Sequence, residues 1–235
     1  MMTKTNDKKT AQQSYIEWNV DFSEPVTIKG GSLPYSDTPM VGVKRMMFER
    51  RGDEVARRAT SCVRYAPGSE FKPHSHPGGE EYIVLDGTFS DQQGDFSQGW
   101  YVRNPVGSVH APFTKDGCEI FVKLSQVPAE EEDYVYIDTN AATWTDIDKN
   151  HQQLQLWSSS VEDTTLHRFK EGYHSQSEEF QDVVEIFVLS GELSINGENY
   201  QHHSWLRLPA QSSLAIDVHK NSVIYRKVGT GEVRH

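Results

Sequence analysis

The stretch "FKPHSHPGGEEYIVLDG", Phe71 to Gly87, brings two histidines, two adjacent glutamates and a Pro-Gly-Gly turn close together. His74 and His76 are two apart, and on an extended strand residues i and i+2 point to the same face. Two imidazoles on one face, with a carboxylate returning after a tight turn, can converge on a divalent cation. The same residues also suit a polar loop between two strands. Arg64, upstream of the motif, is placed to offer a cation to an acid group or to form a structural ion pair.

The elements that must position these side chains occur twice. Shifted by 104 residues, the sequence matches itself without a gap across Thr60 to Lys123. Arg64 meets Arg168, Gly68 meets Gly172, and "EYIVLDG" meets "EIFVLSG"; "YVRNP" meets "WLRLP", so Arg103 and Pro105 fall on Arg207 and Pro209. That many Gly, Pro and Arg matches at one offset indicate a duplication, hence two copies of one fold. Within each copy, "RYAPG", "EYIVLDG", "WYVRNP" and "EIFVKL" are Val-, Ile-, Tyr- and Phe-rich runs ending in turn residues, which predicts short antiparallel strands in a barrel or sandwich. Gly87 and Gly191 suit a tight hairpin position with positive φ. The run "PAEEEDY" from Pro128 reads as a helical turn or an acidic linker.

The spacing Gly68, His74, His76, Glu80, Gly87, followed by "GWYVRNPVGSVH" from Gly99 to His110, resembles the two characteristic motifs of the cupin superfamily, with three histidines and one glutamate in order. Over residues 38 to 127 the chain is more narrowly similar to the ChrR-type cupin domain, named for an anti-sigma factor whose cupin half carries zinc. The resemblance implies an all-β chain of two tandem cupin domains, each a double-stranded β-helix or jelly-roll barrel, and a metal held by His74, His76, Glu80 and His110. The expected boundaries are a polar flexible tail at 1–15, a metal-binding domain at 16–128, a linker at 129–140 and a degenerate, metal-free domain at 141–235.

The repeat separates Glu80 from Glu81. Glu81 recurs as Glu185, whereas Glu80 becomes Val184 just as His74 becomes Glu178, His76 becomes Phe180 and His110 falls on Leu214. A residue kept in both copies serves the fold, and one lost together with the histidines belongs to the metal; Glu80 is therefore the expected ligand. Three nitrogens and one oxygen suit one divalent transition metal per chain, zinc first, with iron, manganese or nickel also accommodated. Tyr82 and Val84 share the parity of Glu80 and are expected, with Arg64, to line the cavity.

The resemblance implies a regulatory or sensory protein linked to control of an extracytoplasmic-function sigma factor under oxidative stress. Residues 1 to 37 contain no Cys or His and are too short for the helical zinc domain of such anti-sigma factors, so a sigma-factor partner is not expected. The alternative is a mononuclear non-haem metal dioxygenase or isomerase acting on a small organic molecule. A small molecule or oxidant at the metal and a homodimer are compatible with the chain. Net charge of -11 argues against a nucleic-acid groove, which needs clustered Lys and Arg. The sequence has no run long and apolar enough for a membrane helix, no apolar signal-peptide core and only Cys62 and Cys118. The expected location is cytoplasmic.

Overall fold

A computed structural model describes residues 15–53 and 55–229. All regular elements among them are β-strands. The predicted runs lie in the strands Ala56–Tyr65, Glu80–Asp91, Trp100–Asn104 and Cys118–Leu124. The acidic run after Pro128 forms a turn and then an extended segment, with no helical residue. Of the polar tail expected at 1–15, all but Tyr15 lies outside the described residues.

The duplication is visible in the strand order. One sheet places Val43–Gly52, Ala56–Tyr65, Cys118–Leu124, Glu80–Asp91 and Trp100–Asn104 side by side. The other repeats this with His151–Ser158, Glu162–Phe169, Ile216–Gly229, Val183–Ile195 and Trp205–Leu208. Gly87 and Gly191 have positive φ as expected, but they sit inside long strands, not at hairpin tips. A Cβ on Gly87 would lie 2.2 Å from the carbonyl oxygen of Gly117, and one on Gly191 2.3 Å from that of Asn221. Close backbone approach at a strand irregularity, together with the φ value, demands glycine at both places.

The two halves also trade strands. Val26–Ile28 adds to Trp205–Leu208 in the second sheet, and Val135–Asp138 adds to Trp100–Asn104 in the first. This exchange cuts across the boundaries expected at 16–128 and 129–140: part of the linker is an edge strand of the first sheet.

Alternation along the strands builds three apolar clusters. Val63, Ile120 and Val122 fill the first barrel, and Val184, Ile186 and Ile224 the second. Phe48, Phe121, Phe187, Trp205 and Tyr225 form a seam between the two. There Phe121 and Phe187 stack at 4.2 Å and Phe48 lies parallel to Trp205 at 5.7 Å.

Charges beside this seam are buried but paired. Arg103, Glu81 and Lys123 are cross-strand neighbours in the first sheet, as are Arg207, Glu185 and Lys227 in the second. The lysines reach across: Lys123 Nζ donates to Glu185 at 2.5 Å, and Lys227 Nζ to Glu81 at 3.2 Å. Tyr101 donates to Glu81 and Trp205 Nε1 to Glu185, one more repeat-related pair. Glu81 and Glu185 thus serve the fold, as their recurrence implied, and they join the two sheets to each other.

Candidate metal centre

The strand His74–His76 pairs antiparallel with Ser108–His110, setting His74 opposite His110 and His76 opposite Ser108. Both strands present alternate residues inward, so the three imidazoles meet. Their ring centroids form a nearly equilateral triangle with sides of 4.9, 5.0 and 4.9 Å, and one ring nitrogen of each lies within 4.8 Å of the others. Nε2 of His76 and Nε2 of His110 are 2.9 Å apart. Glu80 opens the next strand, and its Oε2 stands 3.7 Å from His76 Nε2 and 3.6 Å from His110 Nε2.

Neighbouring groups fix which nitrogens are free. Asp91 accepts from Nδ1 of His110 at 3.0 Å, leaving the Nε2 lone pair directed at the cluster. The backbone carbonyl of Lys72 accepts from Nδ1 of His74 at 3.0 Å, with the same effect. Asn104 Nδ2 donates to Glu80 Oε2 at 3.2 Å and orients the carboxylate. Two ligands about 2.1 Å from one ion and at right angles to each other stand about 3 Å apart. The His76–His110 spacing meets this, so the residues present fit a first-row divalent ion.

The imidazoles differ in their hold on protons. Burial pushes the His76 pKa down, and the neighbouring imidazoles reinforce this against the attraction of Glu80. Burial also opposes charge on His110, but the Asp91 hydrogen bond and the Glu80 carboxylate outweigh it and raise the pKa above 6.5. A raised pKa favours the protonated, metal-free form below about 6.5, and that advantage disappears as pH rises through the shifted value. Metal needs neutral His110. Affinity should therefore fall progressively as pH drops from about 7 toward about 5, with proton uptake on metal release. Titrating metal against a chelator across this interval checks it; affinity unchanged down to about pH 4 would exclude a three-histidine centre.

The histidines and Glu80 open onto a cavity of about 680 Å³, bounded elsewhere mostly by apolar groups such as Val63, Phe71, Phe89, Val122 and Leu124, with Arg45, Glu70 and Lys72 as the further charged groups on its wall. Tyr82 and Val84 share the inward face with Glu80, but they pack into the barrel core and do not form the cavity wall. Tyr82 makes an edge contact with Phe89, and its buried hydroxyl has no hydrogen-bond partner among the described residues. Arg64 was expected in the cavity and is not there. Its neighbours Val63 and Tyr65 point in, so alternation sends Arg64 out, where it pairs with Glu119 at 2.8 Å and lies over Tyr35. Arg168 likewise lies over Trp144 on the outside.

Residues that sequence reasoning passed over also shape the site. Asp91 and Asn104 hold His110 and Glu80, while Arg45 and Tyr65 line the cavity. Their only signal was strand parity: Arg45 shares the face of Val43, and Tyr65 that of Val63.

Cys62, Glu119 and His203 gather a thiol, a carboxylate and an imidazole at the seam. Glu119 is already engaged there by Arg64 and by the Tyr35 hydroxyl, and burial pushes the Cys62 thiol pKa up. In the second barrel Glu178 pairs opposite Leu214, as His74 does opposite His110. Phe180, Val184 and Leu214 are buried there among apolar neighbours. His174 pairs with Asp217 and Glu178 with Arg226, so these two do not share a site.

Residues 23–128 match the family described as the ChrR cupin-like domain. No curated protein matches the chain significantly. Solved structures match over most of it. A protein of Nostoc punctiforme provisionally described as a dioxygenase aligns with TM-score 0.70 and 13% identity, covering 95% of this chain and 85% of its own. The pirin YhhW of Escherichia coli, solved with nickel(II), aligns with TM-score 0.66 and 15% identity, covering 87% and 98%. Oxalate decarboxylase of Bacillus subtilis aligns with TM-score 0.63 and 12% identity, covering 88% and 78%. At these identities the likeness shows the fold alone, an all-β chain of two cupin-like halves, of which residues 23–128 match the ChrR cupin-like domain.

Proposed function

We propose that this chain, a bicupin carrying a ChrR cupin-like domain at residues 23–128, is a mononuclear metal enzyme that transforms a small organic molecule. The observation that supports it is the cavity. A metal kept for structure is closed in by its ligands, whereas a catalytic one retains open positions facing a space for substrate. Here about 680 Å³ of largely apolar space adjoins the histidines, a volume in the range of small-molecule sites. The regulatory role that the ChrR resemblance implies could use the same centre but has no need of such a space.

His74, His76, His110 and Glu80 would hold the ion, which when bound supplies Lewis acidity and, if it is iron, manganese or nickel, access to dioxygen chemistry. Zinc would restrict the site to non-redox reactions such as isomerisation. Asp91 keeps His110 in the tautomer that leaves Nε2 unprotonated, and Asn104 restrains Glu80 from rotating away. Phe71, Phe89 and the aliphatic wall exclude water from the bound molecule and strengthen polar contacts made beside it. The solved relatives described as a dioxygenase and as oxalate decarboxylase, and the nickel-bound pirin, are consistent with chemistry of this kind.

The test is elemental analysis of protein purified without added metal, followed by oxygen consumption with small diketones and phenols after loading with iron or zinc. About one equivalent of metal per chain is expected, with turnover dependent on it. His76→Ala should lose most of the metal and all turnover, since the centre would be one nitrogen short. A parent that binds no metal, or a His76→Ala variant that binds as tightly as the parent, would reject the reading.

A further inference from the structure

Along Val43–Gly52, alternation sends Met46 and Phe48 to the seam and turns Val43 and Arg45 toward the cavity. Arg45 also borders a smaller recess of about 290 Å³ beside Leu33 and Pro34. Its side chain is half-buried between the two, and the partial loss of water there pushes its pKa down. The buried cations are engaged, Arg50 by the backbone carbonyl of Asp53 and the others by carboxylates. Arg103 pairs with Glu81, Glu131 and Glu162, Arg207 with Glu49, Lys123 with Glu185, and Arg226 with Glu178. Arg45 has no carboxylate or hydrogen-bond partner among the described residues. Tyr65 lies between it and the metal ligands, within the electrostatic reach of both Arg45 and Glu80. Its ring packs against Phe71 and Phe89 on the cavity wall.

A guanidinium half withdrawn from water and bordering a largely apolar cavity favours an anion beside it. Its five donors match the two oxygens of a carboxylate. We propose that Arg45 anchors the carboxylate of the molecule that occupies the cavity, so the substrate class is a carboxylic acid with an apolar, ring-sized body. The acid group would lie on Arg45, the body against Phe71 and Phe89, and the remaining end toward His74, His76 and His110. This deepens the metal-enzyme reading and rests on it for the reaction, but not for the binding.

The test is calorimetric titration of full-length protein, zinc-loaded and again after chelation, with phenylacetate against phenylacetamide and benzoate against benzamide. The acids should bind at least about tenfold more tightly than the amides in both metal states, as expected when a charged hydrogen bond is the difference. Arg45→Met should abolish that preference, and Arg45→Lys should retain part of it. An Arg45→Met variant that keeps the acid preference, a preference confined to zinc-loaded protein, or no preference in either pair would overturn the assignment and leave the metal enzyme standing. Acid binding that depends on Arg45 in a protein without turnover on any substrate would uphold the assignment and count against the enzyme.

Discussion

Glu81→Ala should lose about 3–5 kcal/mol of stability, the cost typical of leaving one side of a buried ion pair uncompensated. Glu81 accepts from Arg103 and Tyr225 at 2.5 Å each, from Tyr101 at 3.1 Å and from Lys227 at 3.2 Å. Deleting the carboxylate removes four hydrogen bonds and leaves Arg103 and Lys227, from different sheets, to share Glu162, with Glu131 on Arg103 as well. Burial favours its neutral form, but Lys227, Arg103, Lys123 and the Tyr225 hydroxyl outweigh that and hold its pKa far below the usual carboxylate range. A depressed pKa contributes stability above the unfolded value, near 4.5, and that contribution fades as pH falls toward the folded value. The deficit of the variant should therefore be full at pH 7 and shrink below about pH 4. Urea unfolding of parent and variant at several pH values measures both; a loss under about 1 kcal/mol at pH 7 would contradict the role given to this residue. Glu80→Ala is the natural control. It removes the neighbouring carboxylate on the opposite face and should impair metal binding with little effect on metal-free stability.

Residues 1 to 132 expressed alone should aggregate. That fragment lacks Val135–Asp138, the edge strand on Trp100–Asn104, and it leaves Val26–Ile28 without the strand it pairs. Phe48, Ile83 and Phe121 lose the facing sheet, and Lys123 loses Glu185. An apolar face bordered by open strand edges is an aggregation surface. Every proposed metal ligand remains in the fragment, so its failure would be one of packing. Size-exclusion chromatography and metal content decide the matter: a soluble monomer with undiminished metal binding would mean that the second half has a purpose other than packing.

Much of the site was legible because its residues carry chemistry at fixed spacing. The His-x-His pair lies on one strand and pairs with a strand that brings His110, as the two motifs implied. The repeat distinguished Glu80 from Glu81 because one position is copied and the other is not, and the structure puts one beside the histidines and the other in the seam. Arg45 was not legible: it lies outside both motifs and outside the repeated window, and its significance is its place on the cavity wall with no carboxylate partner among the described residues. Of the two roles open to Arg64, the structural ion pair is the one it takes, with Glu119, because strand parity, set by Val63 and Tyr65, turns it away from the cavity. Nothing in the sequence tells Lys123 to choose Glu185 over its own cross-strand neighbour Glu81; that choice depends on how two sheets face each other. Val26–Ile28 is too short for a pattern to reveal which sheet it joins.

That three-residue strand also constrains how the molecule is made. Val26 pairs with Arg207, and Ile28 with Trp205, so this segment has no strand partner until the chain has been made through Trp205–Leu208. The seam phenylalanines likewise wait for one another, Phe48 and Phe121 for Phe187 and Trp205. Although the chain arose by doubling, it cannot mature one copy at a time during translation. Pairings of such long sequence separation are slow to form, and until Trp205–Leu208 has been made the nascent first half presents a surface for chaperones to shield.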